Sequence, residues 1–173
     1  MKIFKRIIVV VVAALVIGSC IFMFAISPAK NKTGNREMPE ADGSTDEITE
    51  NVIIEQDFIN ATENINEIAI VFDRLYLLDE KCDMVIELAH GNEILATRTI
   101  NCDDIEGSHR TYLHPESPLA DLVGEELTLR IYSKTTWGTG LSLMSREDYK
   151  NSTYKFGNKT LNGTICFSVN GKE

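Results

Sequence analysis

Apolar residues follow two different rules along this chain. Ile7 to Ile26, IIVVVVAALVIGSCIFMFAI, is an unbroken run of twenty uncharged residues bounded by Arg6 and by Ser27-Pro28. At the rise of an α-helix such a run spans about 30 Å, the hydrocarbon thickness of a bilayer. The four consecutive valines do not oppose a helix, because within lipid only helices and closed barrels satisfy their own backbone. The run predicts one transmembrane helix over 7–26, in contact with membrane lipid.

From about Asn51 the hydrophobic period changes to two. In Ile65–Phe72, Ile68, Ile70 and Phe72 share one face, and Val52–Ile59 is a shorter run of the same kind. Asp83–Ala89 puts Met84, Ile86 and Leu88 on one side with Glu87 opposite. Asn92–Asn101 puts Ile94, Ala96 and Ile100 on one side, with Arg98 an exception. Leu127, Leu129 and Ile131 alternate within Glu126–Ser133, and Gly140–Ser145 and Leu161–Val169 complete the set. His90-Gly91-Asn92, Pro115, Pro118, Gly124, Gly138 and Gly157 supply turns between them. Only Leu119–Gly124 reads as a helical turn. About eight short strands at this spacing predict an all-β fold, an antiparallel two-sheet sandwich.

Between the two regimes, residues 27–49 hold Pro28, Pro39, Gly34, Gly43 and few large apolar side chains. That composition buries too little surface to offset ordering entropy, and it predicts a flexible linker. The chain thus divides into a basic tail (1–6), a membrane helix acting as signal anchor (7–26), the linker (27–49) and a sandwich domain (50–173). Lys2, Lys5 and Arg6 precede the apolar run, while Lys30, Lys32 and Arg36 follow it. A short basic tail leading at once into an apolar run has a signal-anchor layout, which puts the N-terminus in the cytoplasm and the domain outside it. Three fates of the leader stay open. The full length fits a retained single-pass anchor in the cell membrane. Ile17-Gly18-Ser19-Cys20 resembles a bacterial lipobox with Cys20 as the lipidated residue, and Ser27 to Ala29 offers a cleavage point.

Charge narrows the function classes. The formal net charge is −9, and no acidic residue occurs before Glu37. Without Lys2, Lys5 and Arg6, 14 basic side chains face 26 acidic ones, so the part after Ile26 carries −12. A balance of this sign argues against a nucleic-acid partner, whose phosphates need a surplus of Lys and Arg to neutralise them. Of four cysteines, Cys20 lies in the apolar run, leaving Cys82, Cys102 and Cys166 in the domain. An odd number implies at least one unpaired thiol. If Gly91-Asn92-Glu93 is a three-residue hairpin loop, His90 faces Ile94 and Cys82 faces Cys102. That makes these two a candidate disulfide, the alternative being three small buried hydrophobes.

Catalytic chemistry is not legible. His90, His109 and His114 are isolated, and there is no His-Glu-x-x-His, Gly-x-Ser-x-Gly or phosphate-cradling loop. We expect no enzyme, no catalytic residue and no cofactor; Asp104, Glu106 and a histidine clustered in a pocket would revive catalysis. Acidic groups at Asp79-Glu80-Lys81-Cys82-Asp83 and Asp103-Asp104-Ile105-Glu106 match no EF-hand loop and are read as turn-forming and solubilising, so no metal site is assigned. Thr135-Thr136-Trp137-Gly138-Thr139-Gly140 is more informative, because the single tryptophan follows a strand in a Gly/Thr loop. An exposed indole stacks well on the apolar face of a sugar ring, with hydroxyls and carboxylates binding its rim. Tyr132, Tyr112 and Asp104 are further candidates for such a site, with Tyr149 and Tyr154 behind them. The alternative role for Trp137 is to seal one end of the core.

The succession Gln56-Asp57-Phe58, Ile68-Ala69-Ile70-Val71-Phe72, Cys102-Asp103-Asp104-Ile105, Ser117-Pro118-Leu119, Gly124-Glu125-Glu126-Leu127, Ile131-Tyr132-Ser133 and Asn162-Gly163-Thr164-Ile165-Cys166-Phe167 carries a resemblance. Over residues 52–170 it resembles extracytoplasmic β-sandwich modules attached to bacterial membrane proteins of surface-polysaccharide synthesis. Those modules are similar to the galactose-binding-like jelly roll. The resemblance implies a membrane-anchored module at the bacterial surface, recognising cell-surface glycan or a membrane-protein partner. It transfers no catalytic residue. A structural accessory subunit of a membrane complex, with no small-molecule ligand, is the alternative.

Overall fold

The computed structural model describes residues 37–77, 81–135 and 138–171. The helix expected over 7–26, the first part of the linker and Trp137 lie outside these residues. Among the described residues no helix is long and apolar enough to cross a membrane. The fold is all-β, with two antiparallel sheets forming a sandwich.

Among the described residues twelve strands follow in order: β1 (Gly43–Ser44), β2 (Ile53–Ile59), β3 (Ile65–Arg74), β4 (Asp83–His90), β5 (Glu93–Asn101), β6 (Arg110–Leu113), β7 (Glu126–Ser133), β8 (Leu141–Arg146), β9 (Thr153–Phe156), β10 (Lys159–Asn162), β11 (Thr164–Ile165) and β12 (Phe167–Gly171). One sheet has the order β10-β9-β2-β7-β4-β5, and the other β1-β8-β3-β12, with β6 added to β3 and β11 to β8. The period-two pattern dictates how they meet. Ile54, Phe58, Met84, Ile86, Leu88, Leu127, Leu129 and Ile131 come from the first sheet and are buried. Against them lie Ile68, Ile70, Phe72, Leu113, Leu143 and Phe167 of the second. The rings of Phe58 and Phe167 meet edge to face at 5.1 Å, one from each sheet. Gln56 is buried on the same inward row; its amide nitrogen donates to the carbonyls of Asp57 and Thr153, and its oxygen accepts from the Ile165 N–H. A satisfied polar bridge between sheets fixes register where apolar packing alone would tolerate slippage.

The β4–β5 hairpin corrects one expectation and keeps another. The loop is a two-residue turn, Gly91-Asn92, with His90 opposite Glu93 and Gly91 at φ +59. Glycine takes that conformation without a Cβ penalty, which permits the shorter turn. A bulge then leaves Leu95 unpaired between Ala89↔Ile94 and Leu88↔Ala96. The extra residue restores the expected register beyond it, so Cys82 and Cys102 face each other at a Cα separation of 5.5 Å and are disulfide-bonded. Among the described residues Cys166 is the unpaired thiol, and it is buried. Ile94 falls on the wrong side of the bulge and is exposed rather than core. Arg98 does occupy an inward row, opposite Ile86 at the sheet edge, and its guanidinium donates to the Tyr112 carbonyl of the facing sheet. An edge position lets the charged head leave the core while the stem covers it.

The folded region begins earlier than the boundary at residue 50. Pro39 and Ile48 are buried, and residues 40–48 run along β8 as a strap. The Asp42, Thr45 and Ile48 N–H groups donate to the carbonyls of Ser145, Leu143 and Leu141. The Leu143 N–H donates back to Thr45 Oγ1. Backbone pairing rather than an apolar period holds this segment, which is why its composition reads as linker. Two further differences follow from local geometry. Leu119 forms a bridge with Ile65, not a helical turn. The single strand expected over 161–169 is broken into β10, β11 and β12, because Cys166 carries the chain from β8 to β3: its N–H donates to the Met144 carbonyl and its carbonyl accepts from Val71.

The disulfide closes a segment with a sequence separation of 20 across the base of the hairpin. Replacing Cys82 and Cys102 together by alanine is predicted to lower unfolding stability by about 3 kcal/mol, the loop entropy released to the unfolded chain. Denaturant melts check it, and an unchanged midpoint would contradict the role assigned to the bond.

Candidate functional site

Strand directions gather several connections at one end of the sandwich. β3 and β7 finish there, β4 and β8 begin there, and Arg74 faces Leu141, Ile53 faces Tyr132, and Met84 faces Ser133. The 3-10 turn Cys102–Asp104 is fixed at this end by Arg74, whose guanidinium donates to the carbonyls of Cys102 and Ile105.

Beyond Arg74 the chain presents Leu75, Tyr76 and Leu77, exposed by 46%, 46% and 78%. Tyr76 is nevertheless fixed. Its hydroxyl donates to Glu47 Oε1 at 2.5 Å, and the Gly140 N–H donates to the same oxygen at 2.9 Å. That hydrogen bond, with smaller contributions from burial and the carboxylate charge, raises the phenol pKa and keeps it a donor. Two glycines make the approach possible. A Cβ on Gly138 would collide with the Glu47 carboxylate and lie 2.9 Å from the Tyr76 hydroxyl. At Gly140, φ is +63 and a Cβ would lie 2.5 Å from the Tyr76 carbonyl oxygen. One carboxylate therefore ties the strap to the Tyr76 loop and to the loop before β8, and the Leu75 and Tyr76 N–H groups join those two loops directly by donating to the Gly140 carbonyl. Thr139 adds a second joint, donating through Oγ1 and N–H to the Ile48 carbonyl.

The strap also sets which end this is. Arg146 donates to the Glu40 carbonyl and the Glu147 N–H to Asp42 Oδ1, so the described chain starts at the far end of β8. Six residues of extended strand separate the two ends of β8 by roughly 17 Å.

The residues singled out from the sequence fall on different surfaces. Tyr132 stands near the loop end on the outer face of the β10-β9-β2-β7-β4-β5 sheet, its hydroxyl donating to Glu87 Oε1 at 2.9 Å. Asp104 is exposed on the 3-10 turn of the same end. Tyr112 lies on the outer face of the other sheet, opposite Ala69, with its ring stacked on His114 at 5.9 Å. The thickness of the sandwich separates it from Tyr132, so these two do not line one site. Tyr154 is buried, and Tyr149 follows β8 at the far end under the Lys150 ammonium. Trp137, outside the described residues, directly precedes Gly138 in the chain. Tyr76 and Glu47 were not legible as site residues: one follows a strand in an acidic stretch, the other sits in apparent linker.

Other reactive groups are placed for structure. The Cys166 thiol is pushed up to about 11, chiefly by burial, and is no nucleophile at neutral pH. Glu106 and His109 approach to 3.6 Å with both side chains largely exposed, and His90 approaches Glu125 at 3.3 Å. Among the described residues no group of three His, Cys, Asp or Glu side chains could hold a metal ion. The outer face carrying Tyr132 is polar, with Lys155, Glu55, Arg130 and Glu87 in one row across four strands. Glu55 accepts from Lys155 Nζ at 2.8 Å and from Arg130 Nε at 3.1 Å.

No protein-family model and no curated protein matches this chain.

The Lys155 hydrogen bond, joined by Arg130 and opposed by burial, holds the Glu55 carboxyl below its ordinary range. A depressed carboxyl stabilises the fold above its unfolded pKa and loses that contribution as pH falls through the folded value. Glu55→Gln is predicted to cost up to about 1 kcal/mol at pH 7, with the difference from wild type vanishing toward pH 3. Melts at both pH values check this; a difference that persists undiminished at pH 3 would contradict it.

Proposed function

We propose that this chain is a membrane-anchored, extracytoplasmic binding module of galactose-binding-like, jelly-roll type, which recognises cell-surface glycan through the loops around Tyr76 and Trp137. The anchor and its orientation rest on the apolar run 7–26 and the basic residues before it. The all-β sandwich over 43–171 and the Cys82–Cys102 bond agree with an oxidising compartment outside the cytoplasm.

The observation that carries the reading is the fixed, half-exposed Tyr76 ring. It is joined through Glu47 and the loop glycines to the segment that holds Trp137 in the chain. Rigid aromatic side chains on loops, mounted on a stiff sheet framework, are the usual apparatus of recognition. A second reading, an accessory subunit docking on a membrane-protein partner, draws support from Leu75 and Leu77 beside the ring.

The test is a glycan-array screen of the full chain in a detergent without a sugar head group, with Trp137→Ala alongside. We predict binding to a defined set of glycans that is lost in the variant. A well-folded protein that binds no glycan would overturn the reading and favour the membrane-protein partner, to be sought by crosslinking in the membrane.

A further inference from the structure

Resting on the glycan reading above, we infer that Tyr76 and Glu47 form a preorganised subsite for a neutral pyranose. Tyr76 supplies the stacking face and Glu47 Oε2 accepts a ring hydroxyl or acetamido N–H. The geometry separates the two oxygens of Glu47 by role. Oε1 takes both the Tyr76 hydroxyl and the Gly140 N–H, while Oε2 has no partner among the described residues. An exposed tyrosine ordinarily samples several rotamers, and freezing it on binding costs free energy. Here the hydrogen bond and the glycine backbone have already frozen it, with nearly half its surface open. The core does not need this arrangement, because the ring lies outside the buried cluster. A ready-oriented ring beside an acceptor matches the two halves of a pyranose, its apolar C–H face and its hydroxyl rim.

Charge selects among sugars. Asp46, Glu47, Glu50 and Asp73 outnumber Arg74 and Lys134 on the segments that meet here, the Arg74 guanidinium already donating to the Cys102 and Ile105 carbonyls, and the chain after Ile26 carries −12. A uronic acid or phosphorylated sugar would be repelled, whereas a neutral or N-acetylated one would not. The size of the feature argues against a protein on the same spot. Three apolar side chains beside a charged carboxylate fall well short of the roughly 800 Å² per partner, with an apolar centre, that stable protein interfaces bury.

The test titrates the full chain, in phosphocholine-detergent micelles, with three probes: tetramers of N-acetylglucosamine, of β-1,4-linked glucose and of galacturonic acid. We expect one or both neutral tetramers to bind and the galacturonate tetramer not to. Tyr76→Ala should weaken that binding about tenfold or more with the melting transition retained, the loss expected for one stacking platform. Binding unchanged by Tyr76→Ala would overturn the subsite while leaving the glycan reading standing. Equal affinity for the galacturonate tetramer would overturn the ligand class, and failure of both neutral tetramers to bind would overturn this inference, while the wider reading falls only if the glycan array is also blank. Should Tyr76→Ala not fold, ring-labelled tyrosine decides in the unaltered protein. With Tyr76 assigned through Tyr76→Phe, its ring resonances must move when sugar is added, and movement confined to the other four tyrosines would overturn the subsite.

Discussion

The pairing of the strap with β8 is the constraint on which the loop end depends. Leu141 and Leu143 are buried strand residues whose outer backbone would otherwise form a sheet edge. Residues 40–48 cover that edge, bury Ile48 in the core, and place Glu47 where one oxygen can hold both the Tyr76 hydroxyl and the Gly140 N–H. Without the strap the edge would open, part of the core would be exposed, and the two loops would keep only the Leu75 and Tyr76 bonds to the Gly140 carbonyl. Fold and candidate site therefore share the strap.

Much of the remaining described surface is held in internal contacts. One outer face is tied up in a row of charges, Lys155–Glu55–Arg130, with Tyr132 spending its hydroxyl on Glu87. At the far end Asn60 is buried, its amide donating to the carbonyls of Thr62 and Leu122, so those loops are stapled to one another. The disulfide and Arg74 together fix the connections on either side of the Tyr76 loop. The Tyr76 ring thus stands exposed on a loop whose flanks are both fixed.

Much of this was legible from hydrophobic periodicity. The inward rows of β3, β4 and β7 stand where alternation put them, since each strand has one face to bury and only one way to bury it. The Cys82–Cys102 pairing followed from the register of one hairpin, even though the turn is shorter and a bulge at Leu95 makes up the difference. What stayed hidden is held by backbone rather than by side-chain pattern. The strap pairs through N–H and carbonyl groups of polar residues, and β6 is only four residues long. Tyr76 escaped notice for a related reason: its environment is made by Glu47, 29 residues earlier, and by two glycines whose value lies in the side chains they lack. Sequence drew attention to aromatics individually, whereas the fold separates Tyr112 from Tyr132 and joins Tyr76 to the loop before β8.

Amide hydrogen exchange on the full chain tests the central claim most directly. If the strap is an integral strand, the amides of Thr45 and Ile48, and the Gly140 amide held by Glu47, exchange as slowly as those within β8. Exchange of Thr45 and Ile48 at the rate of an unstructured peptide, beside a protected Leu143, would return the segment to the linker and dissolve the joint on which the candidate site is built.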